Sequence, residues 1–234
     1  MARAMRTLAK WHIWLGWLVG VPIVMWTATG LFMVAKPIEE VRGNHLRIGT
    51  EQPEPLVIEG SALATEDMQL KEMRAVMQDG RAVAILTTLD GATKRVDMVT
   101  GAEIEPLTGE QATALVSRRI VGGDKVDAVT FFNADNVPFD FRRPLPVWQV
   151  ALADGTRVYV GRDTGEIEAV RTVWWRWFDF MWGLHIMDLS EREDTSHPIL
   201  ILFAALSLIG ALMGTILMFR RRKARAKAPA PEAP

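Results

Sequence analysis

Two stretches of this chain carry no acidic or basic residue other than histidine: residues 11–35, WHIWLGWLVGVPIVMWTATGLFMVA, and residues 199–219, ILILFAALSLIGALMGTILMF. A helix rising about 1.5 Å per residue makes either stretch long enough to cross a hydrocarbon core about 30 Å thick. The pattern reads as two membrane spans and excludes a purely soluble fold. The first run is longer than the ~7–15-residue apolar core of a cleaved signal peptide, and Met33 departs from the small-x-small cleavage pattern. It therefore reads as an uncleaved anchor, with Trp11, Trp14 and Trp17 as interfacial anchors near its start.

The charges sort by position. Arg3, Arg6 and Lys10 precede the first run with no acid among them. Arg220, Arg221, Arg222, Lys223, Arg225 and Lys227 follow the second, against Glu232 alone. Between the runs stand 18 basic and 27 acidic residues, a net of −9 hidden inside an overall charge of −1. Basic flanks mark the cytoplasmic side, so both termini are expected there and the acidic middle on the other side. Topology accounts for the basic residues, and no nucleic-acid partner is expected. The absence of cysteine excludes disulfides, thiolate nucleophiles and iron–sulfur ligation.

The middle contains an internal repeat. LTTLDGATKRVDMVTGAEIE from Leu86 parallels QVALADGTRVYVGRDTGEIE from Gln149. Asp90-Gly91 matches Asp154-Gly155, and Thr100-Gly101 matches Thr164-Gly165, both at an offset of 64 residues. Asp-Gly provides the positive φ that tight hairpin turns need. The alternation Trp148, Val150, Leu152 and Val158, Val160 predicts strands with one buried face. A helix is predicted from Thr108 to Ile120, capped by Thr108, with Ala112, Leu115, Val116 and Ile120 on its apolar face. Ser61–Leu70 is a weaker equivalent, capped by Ser61 or Thr65. Each copy thus reads as a helix followed by antiparallel strands.

The segment TVWWRWFDFMWGLHIMDL from Thr172 is too short and too charged for a third span and suits an interfacial helix. SEREDTSHP reads as a polar turn with Ser196 as a cap and Pro198 in the first turn of span two. Pro22 predicts a kink in span one, with Thr27 or Thr29 satisfying the freed carbonyls. The tail KARAKAPAPEAP is low in complexity and is expected to be disordered.

LADGTRVYVGRDTGEI preceded by a helix resembles a PepSY domain. WHIWLGW at Trp11, ATGL at Ala28, GLH at Gly183 and the closing GTILMFRRRK resemble the PepSY-associated transmembrane family, and the resemblance covers nearly the whole chain. The implied organisation is a membrane-anchored α+β protein with two antiparallel transmembrane helices flanking a periplasmic tandem PepSY domain. Its divisions are a cytoplasmic N-terminus at 1–10, a first transmembrane helix at 11–35, PepSY-like repeats at 36–107 and 108–172, an aromatic juxtamembrane segment at 173–197, a second transmembrane helix at 198–219 and a basic tail at 220–234. The implied location is the inner membrane of a bacterium with two envelope membranes.

Well-described relatives have four spans and are implicated in reducing ferric siderophores with b-type haem on membrane histidines; this sequence has two spans. The resemblance implies haem b, electron transfer in iron uptake and a ferric siderophore as substrate. Other PepSY proteins are proposed to regulate peptidases, which implies the alternative of a non-catalytic binding module or an accessory subunit of a larger membrane complex.

His12, His45, His185 and His197 are the four histidines. His12, His185 and His197 are the candidate haem ligands, and His45 reads as a solvated loop residue. His12 lies at the opposite end of the bilayer from His185 and His197, so one haem cannot use His12 with either of them inside one chain. His185 with His197 can share an iron within a chain; otherwise a homodimer is required. Gly16 with Gly20 and Gly210 with Gly214 form two GxxxG pairs that fall at one depth when the spans run antiparallel, which predicts close helix packing. Glu191, Glu193 and Asp194 read as a solvated acidic turn rather than a metal site. No HExxH, phosphate-binding glycine loop, CxxC or Ser-His-Asp order supplies hydrolase or nucleotide chemistry.

Overall fold

A computed structural model describes residues 2–49, 55–58, 60, 62 and 69–226. Of the helix expected at Ser61–Leu70 only Ala62, Gln69 and Leu70 are described, Leu70 as the first residue of a strand, and the tail beyond Ala226 lies outside the described residues. Two compact units divide the chain. One joins the N-terminal part through Lys36 to the C-terminal part from Trp177, and the other is Pro37–Arg176.

The first unit is built on α1 (Ala2–Met33) and α5 (Pro198–Ala226). Gly210 of α5 faces Leu15 of α1, and Gly214 faces His12, so the helices run antiparallel. Their outward sides leave Trp17, Val21, Leu31, Ile201 and Leu208 exposed. A soluble core helix would bury such side chains, whereas lipid solvates them.

Pro22 lies inside α1 and removes the N–H that the Leu18 carbonyl would accept. Neither expected threonine compensates. The Thr27 hydroxyl donates to Ile23 O (2.8 Å) and the Thr29 hydroxyl to Met25 O (2.7 Å), because a threonine reaches back about one turn from its own position. Ser196 does not cap α5 either: its N–H donates to Asp194 (2.8 Å), while the His197 carbonyl accepts from Ile201 N (3.2 Å) and Pro198 is the first helical residue. The α5 backbone stays helical past Phe219 to Ala226.

The second unit opens on the short helix α2 (Ile38–Val41) and holds two four-stranded antiparallel sheets in sequential order. The first is β1 (Leu70–Gln78), β2 (Arg81–Thr88), β3 (Thr93–Asp97) and β4 (Glu103–Ile104). The second is β5 (Val126–Phe132), β6 (Val147–Leu152), β7 (Arg157–Gly161) and β8 (Ile167–Arg171). The repeat underlies both: Gly91 and Gly155 make the first turns at φ +88° and +81°, and Gly101 and Gly165 the second at +71° and +68°. β1 and β5 were not expected from the sequence. In sheet one the extra strand joins β2 through Asp79-Gly80, while in sheet two residues 133–146 separate β5 from β6.

α3 (Gly109–Arg119) matches the expected helix. The Thr108 hydroxyl accepts from Gln111 N (3.3 Å) and the Gln111 side chain from Thr108 N (2.9 Å), a complete capping box. Ala112, Val116 and Ile120 pack on Val150, Leu152, Val158, Val160 and Val170, the largest buried cluster. Phe141, Val147, Tyr159 and Ala169 cluster together as well. Sheet one has a smaller cluster of Ala82, Ala84, Leu86, Val96 and Met98.

Candidate functional site

The GLH motif ends α4 (Val173–His185), and the chain then turns back toward α5. Gly183 leaves room for that return, since a Cβ there would stand 2.7 Å from Arg192 Cγ and 3.0 Å from the Asp188 carbonyl oxygen. Arg192 is drawn inward by Asp179 at 2.6 Å, and its carbonyl accepts the Trp182 indole N–H (3.1 Å). The Asp188 carboxylate accepts the Ser190 hydroxyl and the backbone N–H groups of Ser190, Glu191, Glu193 and Asp194. The Ser190 hydroxyl, with those amides, holds the Asp188 carboxyl below the usual carboxylate range. Glu191, Glu193 and Asp194 therefore serve the turn through their backbones. Among the described residues no group of three or more His, Cys, Asp or Glu side chains is arranged to hold a metal ion.

This turn fixes His185. Its Nδ1 lies 2.9 Å from the hydroxyl of buried Thr29. Thr29 has one proton, directed at the Met25 carbonyl 2.7 Å away, a group that can only accept. The hydroxyl oxygen thus accepts from His185 Nδ1–H, and the Nε2 lone pair stays available to a ligand. Trp26 donates to the His185 carbonyl (2.7 Å), Trp182 stacks on its ring with centroids 6.5 Å apart, and Gly30 leaves space beside Cε1.

The other histidines differ. His12 lies on Gly214, where a Cβ would meet its Cε1 at 2.9 Å, and its Nδ1 is buried without a hydrogen-bond partner. His197 Nδ1 is likewise buried and unpartnered. Continued along the antiparallel pair, the register set by His12–Gly214 and Leu15–Gly210 brings His197 to the depth of Thr29. His45 lies exposed in a short 3-10 turn, Asn44–Leu46. Gly210 and Gly214 face α1, whereas Gly16 and Gly20 have open space where a Cβ would stand. The two GxxxG pairs therefore do not meet within the chain, because the inward face of α1 is carried by His12, Leu15 and Val19 instead.

A family model described as the PepSY-associated TM region matches residues 9–233. The chain belongs to the PepSY-associated transmembrane family. No curated protein and no solved structure matches it.

This PepSY-associated transmembrane protein has a second candidate site, in its sheet unit. A cleft of about 1010 Å³ is lined from sheet one by Arg74, Arg81 and Arg95 and from the second repeat by Arg118, Arg119 and Arg143, with Arg47 beside them. Neither Arg95 nor Thr29's contact with His185 was expected from the sequence. For Arg95 a signal existed: at the repeat offset of 64 it occupies the position of Tyr159, a buried strand residue. For Thr29 the signal was a hydroxyl inside an apolar span.

Proposed function

We propose that the chain is an inner-membrane protein with cytoplasmic termini and a periplasmic tandem PepSY module, and that it carries electrons through haem b to a periplasmic ferric complex. One observation supports this reading above others: Thr29 holds His185 in the tautomer whose Nε2 is free to ligate. Metal-binding histidines are commonly set this way, by a hydrogen bond at the opposite ring nitrogen. The buried, unpartnered Nδ1 atoms of His12 and His197 suit the same role.

Bound haem would supply one-electron transfer. His185 and Thr29 lie at one end of α1 and His12 near the other, seventeen residues away, or about 26 Å along a helix. Two nitrogens on one iron stand only about 4 Å apart. His12 and His185 therefore serve separate sites, each completed by the matching histidine of a second chain or, at the outer end, by His197.

The test is spectroscopic. Protein purified in mild detergent from haem-replete cells is expected to show sharp Soret and α bands on reduction with dithionite. His185→Ala is expected to abolish the outer-end signal, and Thr29→Val to weaken haem retention about 10- to 100-fold. A folded protein that stays colourless after reconstitution with haem overturns the reading.

A further inference from the structure

We propose that the cleft between the two sheets binds a small polycarboxylate anion, held from both repeats by arginines with Arg95 and Arg47 as the inner contacts. Its volume, about 1010 Å³, stands at the upper end of small-ligand pockets.

The arginines of the cleft differ in how they are paired. Arg95 is 7% exposed. Its guanidinium donates to Gln78 Oε1 (3.2 Å) and the Glu105 carbonyl (2.7 Å), and its Nε has no partner. Half-buried Arg47 donates twice to the Ile167 carbonyl (3.3 Å). Among the described residues both cations thus touch neutral acceptors alone. Burial lowers the pKa of each, outweighing the pull of Asp163 and Asp79 on Arg95 and of Glu168 on Arg47. A buried cation without a contacting carboxylate is costly, and an entering anion relieves that cost.

The other arginines indicate which anion. Arg74 pairs with Glu166, Arg118 with Asp79 (3.2 Å) and Arg143 with Glu168 (2.9 Å). The cleft already grips the chain's own carboxylates, and a guanidinium fork matches a carboxylate in two hydrogen bonds. Arg81, exposed in the same lining, adds a further donor group. The opposing charges not used in these pairs are Glu72 and Glu105, both exposed to water. Several carboxylates on one ligand would reach both repeats at once.

Every residue of the cleft lies in the sheet unit, so anion binding there is independent of haem. Citrate titrated calorimetrically into the full-length protein in detergent, at constant ionic strength, is expected to bind saturably and more tightly than inorganic phosphate. Arg95→Gln and Arg47→Gln are each expected to weaken binding about tenfold or more. Arg42→Gln, outside the cleft lining, should leave it unchanged. Should Arg95→Gln fail to fold, Arg47→Gln and Arg81→Gln carry the test. The proposal is overturned if citrate shows no saturable binding, if phosphate binds as tightly, or if Arg42→Gln weakens binding as much as the cleft variants.

Discussion

Arg95 and Tyr159 occupy the same position in the two sheets, each in the middle of the third strand and paired with the matching residue of the second, Ile85 and Gln149. Both are buried. The Tyr159 hydroxyl donates to Asp140 and accepts from Gln149, each at 2.6 Å, and Phe141 stacks on its ring. Among the described residues Arg95 has no carboxylate in contact and one unpartnered nitrogen. The repeat therefore copies backbone without copying chemistry. Turn glycines at positive φ preserve the hairpins, while the interior residues have taken opposite solutions: a satisfied neutral phenol in one sheet and, in the other, a cation whose contacts are neutral.

The largest effect expected from this comparison is in the cores. Leu86 and Val150 are equivalent, fully buried residues. Leu86→Ala should destabilise by about 2–5 kcal/mol, and Val150→Ala by less because fewer carbons are removed. Thermal unfolding of the detergent-solubilised protein measures both. A larger loss at Val150 would mean that packing against α3 gives the second sheet a stiffer core.

The turn glycines come next. Gly101→Ala and Gly165→Ala should each cost about 1–2 kcal/mol, because both positions have positive φ. A Cβ at Gly101 would stand 2.7 Å from the Ala62 carbonyl oxygen, whereas one at Gly165 would stand 2.5 Å from an Arg95 nitrogen. Citrate affinity should therefore fall for Gly165→Ala alone, and equal losses for both variants would break the distinction between the sheets.

The smallest effect at neutral pH concerns Tyr159. Burial, with the Asp140 carboxylate beside it, raises this phenol's pKa well above 10.0. The protonated hydroxyl's contribution to stability is complete below pH 10.0 and is lost as pH rises beyond it. Tyr159 is the single tyrosine, so phenolate absorbance can be followed directly. It should stay silent past pH 10.0 until the second sheet opens.

The features legible in the sequence were local ones. Charge-free runs fixed the two long helices, Asp-Gly and Thr-Gly dipeptides placed the turns, and Thr108 with Gln111 announced α3. β5 is not legible because an edge strand with Asp127, Ala128, Val129 and Thr130 exposed has no alternation to read. The turning of Gly16 and Gly20 away from α5 depends on helix rotation, which a GxxxG spacing does not encode. The Thr29–His185 contact joins residues 156 positions apart and exists through tertiary packing alone.

Among the described residues, none of the three buried apolar clusters crosses from one sheet to the other. The sheets are tied across the cleft by Arg74–Glu166, Arg118–Asp79 and the Gln78 amide on the Thr164 carbonyl. Exposed ion pairs of this kind are worth about 0–1 kcal/mol each and weaken with salt. The two sheets thus meet across the cleft through polar contacts that ionic strength can weaken. Raised salt is therefore expected to loosen this seam without melting either sheet, and a polyanion seated in the cleft to hold it closed.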